Sequence, residues 1–299
     1  MANMAVYAPG RAGEEQTIPM RTPRQEAFRR FRKNRLAMIG MVMLIVLVAF
    51  VVVGPMVYDV DPTATNIYQT YAAPMELGPL GTDGLGRDLL SRLLYGGRVS
   101  IAIGLCSAAV AITVGTLIGS LAGYYGGILD MILMRFTDII LTIPSLPLLI
   151  VLGGIFKPTP AVLVFLISIL NWMATARLVR SKILTLRTLD YVLAARSVGC
   201  KNGRIITHYL LPNTLGPIIV TATLTVGRAI IMESTLSFLG VGINPPTASW
   251  GNMLQSAQNA MTQAPWIAVF PGLMILLTVL AINFLGDGLT DALDPKRTK

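Results

Sequence analysis

The sequence predicts an all-α, polytopic membrane protein with six transmembrane helices. Of its 299 residues, 54% are hydrophobic and only 13% are charged, and the mean hydropathy is +0.65. This composition is too apolar for a soluble domain. The hydrophobic residues also lie in long runs with few charges, as helices that cross a bilayer require.

The first 35 residues form a predicted cytoplasmic segment. Residues 1–21 are polar and contain glycine and proline, which favours disorder. Thr22 begins a capping-box pattern, so a helix is expected from there to Arg35. Its basic residues and two phenylalanines are typical of a helix at an anionic cytoplasmic membrane surface. An RNA-binding arm is the alternative, but the direct fusion to a hydrophobic run makes membrane lipid the better partner.

Residues 36–57 form the first predicted span. This uncharged run of 22 residues is long enough to cross a hydrocarbon core of about 30 Å. It is too long and starts too late for a cleaved signal peptide. Residues 58–98 then form a polar extracytoplasmic connection. Its amphipathic patch at 85–95 predicts a helix lying along the membrane surface, with Arg87, Asp88 and Arg92 on the polar side.

A core domain, 99–291, is predicted to hold five further spans, and residues 292–299 form a cytoplasmic tail. Glycines recur in the first of these spans at a spacing that allows close helix contact. Pro144 and Pro147 interrupt the next one. The five predicted spans are 99–124, 131–156, 161–176, 214–241 and 266–285.

The distribution of Lys and Arg predicts the orientation. The N-terminal segment has eight, the region 177–204 has seven and the tail has three, whereas the connections on the opposite side have four. By the positive-inside rule both termini and the region 177–204 are cytoplasmic, which requires an even number of spans. The formal net charge of +9 is therefore explained by topology and requires no nucleic acid.

The longest charged and amphipathic segment between spans is residues 189–213, here called the knob. Asp190 is expected to cap a first short helix, 191–198, which Gly199 ends in the left-handed conformation. Asn202 is expected to cap a second helix, 203–211, which Pro212 ends. The predicted result is a helix–turn–helix held out for a partner, with the small Ala194 and Ala195 on one face.

Four charged residues fall inside predicted spans, where they are costly. Arg135 and Asp138 lie three apart, and Arg228 and Glu233 lie five apart, a poor spacing for a helical pair. One interpretation is that these residues line a polar translocation path or its gate. The other is that they pair to fix helix packing. For Arg135 and Asp138 the structural interpretation is favoured, and for the second pair both stay open.

Few residues are suited to catalysis or metal binding. There is one histidine, His208, and the two cysteines, Cys106 and Cys200, are predicted to lie in different environments. We therefore expect no metal site, no disulfide framework and no catalytic residues. No Gly-rich phosphate loop ending in Lys-Ser or Lys-Thr occurs, so the chain itself is expected to bind no ATP.

The knob resembles the EAA motif of permease subunits in ATP-binding-cassette (ABC) importers, whose pattern is E-A-A-x3-G-x9-I-x-L-P. The residues in register are Ala194, Ala195, Gly199, Leu211 and Pro212. Two positions depart from the pattern, with Leu193 in place of Glu and Tyr209 in place of Ile. The first departure removes a carboxylate that could form a salt bridge to the ATPase.

Three further stretches resemble the dipeptide, oligopeptide and nickel permeases: LGTDGLGRDLLSRLLYGGRVS at 80–100, NPPTASWGNML at 244–254 and NFLGDGLTDALDPK at 283–296. The resemblance thus covers nearly the whole chain after about residue 22. It implies the second permease type of this group, with the type I ABC importer permease fold, in the bacterial inner membrane.

The resemblance also implies the partners. They are a second permease subunit forming a heterodimer, two ABC ATPase subunits that bind ATP and Mg, and an extracytoplasmic substrate-binding protein. The ATPase-coupling residues it implies are Asp190, Tyr191, Ala194, Ala195, Arg196, Gly199, Leu211 and Pro212.

The expected function is to form the translocation pore of a peptide importer by alternating access, as a non-catalytic subunit. A nickel-complex or glutathione importer of the same family is the nearer alternative. An ion-coupled secondary transporter is the alternative from another class, but the internal repeat it predicts is not found. A membrane anchor for a signalling complex would not explain the charges inside spans.

Overall fold

The computed structural model describes residues 23–293, and in that part of the chain every regular element is a helix. The predicted disordered stretch 1–21, the capping Thr22 and the last six residues of the predicted tail lie outside the described residues. The helices are α1 (Pro23–Lys33), α2 (Arg35–Val57), α3 (Leu89–Tyr125), α4 (Gly127–Thr142), α5 (Ser145–Ile155), α6 (Pro160–Ile169), α7 (Trp172–Leu186), α8 (Asp190–Ser197), α9 (Asn202–Arg204), α10 (Leu211–Phe238), α11 (Trp250–Ala257) and α12 (Trp266–Leu293).

Four helices are long and apolar enough to cross a membrane alone: α2, α3, α12 and the continuous helix Asn202–Phe238, which contains α9 and α10. Two bent pairs also qualify, so the described chain has up to six spans, in agreement with the predicted number. The pair α4 and α5 bends by 82°, and the pair α6 and α7 bends by 42°. The first bend falls at Pro144, because a residue before proline disfavours helical geometry.

The predicted surface helix at 85–95 is wrong as a separate element. Its residues from Leu89 onward form the first turns of α3, which continues for 37 residues to Tyr125. Asp88 precedes this helix as its N-cap, and its carboxylate accepts a hydrogen bond from the Ser91 amide at 2.7 Å. Tyr58 donates to the same carboxylate at 3.0 Å; burial and this bond raise the pKa of Tyr58 to about 12.

Arg87 and Arg92 are buried, and not on an exposed polar side as predicted. Both guanidinium groups contact the carboxylate of buried Asp83, Arg87 Nε at 2.7 Å and Arg92 Nε at 3.4 Å. The other carboxylate oxygen accepts from the amides of Leu85 and Arg87 at 2.9 and 3.0 Å. A single carboxylate therefore compensates two buried cations and folds the connection back onto the start of α3.

Close packing of α3 against α7 holds the inner half of the bundle together. A Cβ added at Gly115 would lie 2.5 Å from the carbonyl oxygen of Trp172, and one at Gly119 would lie 2.4 Å from that of Ala176. Only glycine lets the two backbones approach so closely, as the glycine spacing predicted. The glycine turn between α3 and α4, at Gly126 and Gly127, then reverses the chain.

Replacing Asp83 with Asn should destabilise the protein by about 3 kcal/mol, because two buried guanidinium groups lose their counter-charge. Asp59→Asn makes the same chemical change at an exposed position of the same connection and should have no measurable effect. The measurement is the thermal denaturation midpoint of the detergent-solubilised chain. Equal midpoints for the two variants would contradict the role assigned to Asp83.

Candidate functional site: the knob and the charges within spans

The first helix of the knob is α8, Asp190–Ser197, one residue earlier at each end than predicted. The prediction that Asp190 caps this helix is wrong. Leu189 occupies the cap position in an extended conformation, and no side chain caps the helix there. Asp190 is instead the first helical residue, where its negative charge still favours the N-terminal end of the helix dipole.

Gly199 ends α8 in the left-handed conformation, with φ +79°, which confirms the prediction. The Gly199 amide donates to the Arg196 carbonyl at 3.0 Å, and the Cys200 amide donates to the Ala195 carbonyl at 3.1 Å. These two bonds are those of a Schellman motif. The turn out of α8 is therefore fixed by the backbone of residues 195–200.

The prediction that Pro212 ends the second helix is wrong. Lys201, not Asn202, is the N-cap, and the helix that starts at Asn202 continues without a break to Phe238. Residues Ile205–Leu210 are π-helical, so the Leu211 amide bonds to the carbonyl five residues before it. This wider turn removes the clash between the Pro212 ring and the preceding carbonyls, and the helix passes through the proline.

The knob packs against the C-terminal ends of α3 and α7 and the N-terminal part of α10. Val192 is fully buried and belongs to an apolar cluster with Tyr124 of α3 and Ile183 of α7. Ala195 is also buried, so of the two small residues only Ala194 is exposed. The residues of α8 that are exposed are Asp190, Tyr191, Leu193, Ala194, Arg196 and Ser197.

A polar recess of about 490 Å³ lies beside the knob, between α8 and the turn after α3. Arg196 lies over the ring of Tyr124 at 5.5 Å from its centroid, and Tyr124 donates its hydroxyl to Asn202 Oδ1 at 2.7 Å. Arg187 donates to the carbonyls of Gly123 and Tyr124 at 3.0 and 3.2 Å. These contacts tie both helices of the knob to the end of α3.

The two acidic residues of α4 form ion pairs with arginines of α7. Asp138 bonds to Arg177 at 2.5 Å, and Asp130 bonds to Arg180 through both carboxylate oxygens at 2.5 and 2.6 Å. Arg135, suggested as a partner of Asp138, is exposed and forms no ion pair with it in the described structure. The sequence analysis missed Asp130, Arg177 and Arg180, because spacing along one helix carries no information on a partner in another.

Glu233 is fully buried near the Phe238 end of α10. It accepts hydrogen bonds from the hydroxyls of Ser100 on α3 at 2.9 Å and Ser237 at 2.8 Å. The Ser100 hydroxyl in turn accepts from the amide of Trp250, the first residue of α11, at 3.2 Å. Glu233 thus links α10 to α3 directly, and to α11 through the Ser100 hydroxyl.

Arg228 is exposed on α10, and no residue in the described range 23–293 forms a hydrogen bond or ion pair with it. Within the same range no group of three or more His, Cys, Asp and Glu side chains could hold a metal ion. Within that range the structure is a bundle of helices with the knob packed against one end of it. It provides no constellation for bond-making chemistry.

This architecture defines an integral-membrane transport subunit. Residues 115–299 match the family described as binding-protein-dependent transport system inner membrane component, and residues 22–74 match the N-terminal TM domain of oligopeptide transport permease C. The chain belongs to the first of these families. It is a multi-pass inner-membrane permease subunit of an ABC importer, with the type I ABC permease fold, and it is not catalytic.

Curated relatives cover nearly the whole chain. It is 41% identical to the dipeptide transport system permease protein DppC of Alkalihalophilus pseudofirmus, over 92% of this chain and 90% of that protein. It is 38% identical to the oligopeptide transport system permease protein OppC of Bacillus subtilis, over 99% of this chain and 98% of that protein. The dipeptide transport system permease protein DppC of Haemophilus influenzae is 39% identical, over 94% and 97%.

Gly199→Ala should destabilise the knob by about 1–2 kcal/mol, because an L side chain is disfavoured in the left-handed region. No atom lies within 4 Å of the added Cβ, so the backbone conformation alone is responsible. Gly203→Ala is the matched control: it is also free of contacts and lies inside a helix, where Ala is favoured. Hydrogen exchange of residues 190–200 should rise in the first variant only. Equal exchange in both would contradict the role of the turn.

Proposed function

We propose that this chain is one of two permease subunits of a peptide importer. The supporting observation is that relatives named for dipeptide and oligopeptide transport align with more than nine-tenths of the chain. Substrate reaches the pore from an extracytoplasmic binding protein and passes inward by alternating access. Nickel complexes and glutathione-like compounds remain the alternative substrates of the same architecture.

The knob is the contact through which ATP hydrolysis drives this movement. Two ATPase subunits bind ATP and Mg, while this chain binds neither and acts as a lever. Tyr191, Ala194 and Arg196 form the outward contact together with Asp190, and Gly199 sets the angle of α8. Ala195 packs α8 against the bundle, and Leu211 and Pro212 are the first residues of α10. The exposed positions of the first group and the burial of Ala195 support this division.

The charged residues inside spans also divide into those that hold helices together and those that line the translocation path. Glu233 fixes the outer ends of α3, α10 and α11, and Asp138 fixes α4 to α7. Arg228 lines the translocation path, because its guanidinium is exposed and pairs with no residue in the described part of the chain. Arg135, which is also exposed, is the second candidate. The second permease subunit forms the opposite wall of that path.

In the proposed orientation both termini and the knob are cytoplasmic, while the connection 58–88 is outside. A single cysteine at Val198, which is 80% exposed, should react with a membrane-impermeant maleimide only from the cytoplasmic side. Met75→Cys, at an 84% exposed position of the connection, should react only from outside. Both variants are made after Cys106→Ser and Cys200→Ser. Labelling of the two sites from the same side would overturn the orientation.

The coupling role is tested by Ala194→Trp in the complete transporter reconstituted in vesicles. The side chain is exposed, so the larger residue should leave folding intact but block ATPase docking and reduce ATP-driven uptake at least tenfold. Ala64→Trp, at an exposed position of the outer connection, should retain the ATPase subunits. The measurements are ATPase co-purification and peptide uptake.

Two results would count against the proposal. One is normal ATPase retention and uptake by Ala194→Trp. The other is uptake by this chain without ATPase subunits, driven by a proton gradient, which would indicate the secondary transporter instead.

A further inference from the structure

Arg228 lies well inside the membrane-crossing part of α10. It is ten residues from the outer end at Phe238, which corresponds to about 15 Å along the helix axis. Its side chain is exposed and lacks a counter-charge among residues 23–293. A cation at this depth is costly in hydrocarbon, so it requires a polar or charged partner outside the described chain.

The two sides of α10 differ in chemistry. An apolar groove of about 620 Å³ is lined by Ile219, Val226 and Ile230 together with residues of α2, α3 and α12. At 100° per residue these three positions point away from Arg228. Thr221 and Thr235, two turns before and after Arg228, share its side of the helix and are half-buried. The side of α10 opposite to the apolar groove therefore carries Arg228 between two threonines, with the apolar Leu224, Ile231 and Met232 also beside it.

The neighbouring helix α12 contributes polar groups beside this stripe. A Cβ added at Gly227 would lie 3.9 Å from Asn283 Oδ1. Asn283 is therefore at the same depth along the bundle as Arg228. Asn283 is exposed, and exposed Asp287 follows one turn further toward the inner end. No ion pair joins Asp287 to Arg228 in the described structure. The alternative explanation for Arg228 is an internal ion pair, and Asp287 would be its counter-ion.

We propose that Arg228 binds the carboxylate of the substrate as it crosses the membrane, so that the permease itself favours peptides with a free carboxyl terminus. The proposal rests on the peptide-import function above. A guanidinium offers a planar pair of N–H donors that matches a carboxylate with two hydrogen bonds. A passing substrate then supplies the missing negative charge, and Asn283 of α12 adds a polar group at the same level.

The test uses the complete reconstituted transporter with a dipeptide and its C-terminal amide, each at a concentration that saturates the binding protein. Uptake is expressed per occupied binding protein, which separates selection by the permease from selection by its partner. The unchanged transporter should import the free dipeptide at least tenfold faster than the amide. Arg228→Gln should slow the free dipeptide to the rate of the amide, and Arg228→Lys should keep at least half of the rate.

Three controls make the outcome decisive. Subunit co-purification should be unchanged in Arg228→Gln; loss of assembly would show that Arg228 pairs with a partner subunit and would overturn the proposal. Asp287→Asn should keep the preference for the free dipeptide, whereas an equal loss of both substrates in Asp287→Asn and Arg228→Gln would indicate an internal ion pair. A preference retained by Arg228→Gln would also overturn it. Failure of the import function itself would appear differently, as no ATP-dependent uptake of either peptide by the unchanged complex.

Discussion

The contact between α3 and α7 is the constraint on which the inner half of this protein depends. Gly115 and Gly119 bring the α3 backbone against the main-chain carbonyls of α7, and Gly123 continues the same line at the level of Arg180. In a bilayer, where apolar surface gains little from helix association, such close packing is the main source of specificity. The contact fixes where α7 ends, and so where the chain enters the knob.

Three acidic residues of the spans bond to a different helix, whereas most of the serine and threonine hydroxyls bond to a carbonyl of their own helix. Glu233 finds hydroxyls on α3, and the acidic residues of α4 find arginines on α7. These bonds connect helices that are distant in sequence and hold the described bundle together. Arg228 stands apart from this pattern, and that contrast, more than its charge, marks it for a role outside the isolated subunit.

The sequence predicted the membrane spans and the glycine turn of the knob well, since both depend on local signals. Long apolar runs predicted the spans. Gly199 predicted the end of α8, because glycine readily adopts the left-handed conformation found there. Predictions failed where partners are distant in sequence. The amphipathic pattern at 85–95 indicated a surface helix, because nothing local shows that Asp83 would bury Arg87 and Arg92. Pro212 likewise indicated a helix end, because a π-helical turn cannot be anticipated from residue types alone.

The unbroken helix Asn202–Phe238 has a mechanical consequence. Its 37 residues form a rod of about 55 Å with one end in the knob and the other beside the outer helix α11. A tilt of about 5° at the inner end would carry the outer end roughly 5 Å sideways, more than half the width of a neighbouring helix contact. In the orientation proposed above, a push on the knob from the cytoplasm would move the opposite end of this helix directly, with no relay through intervening loops.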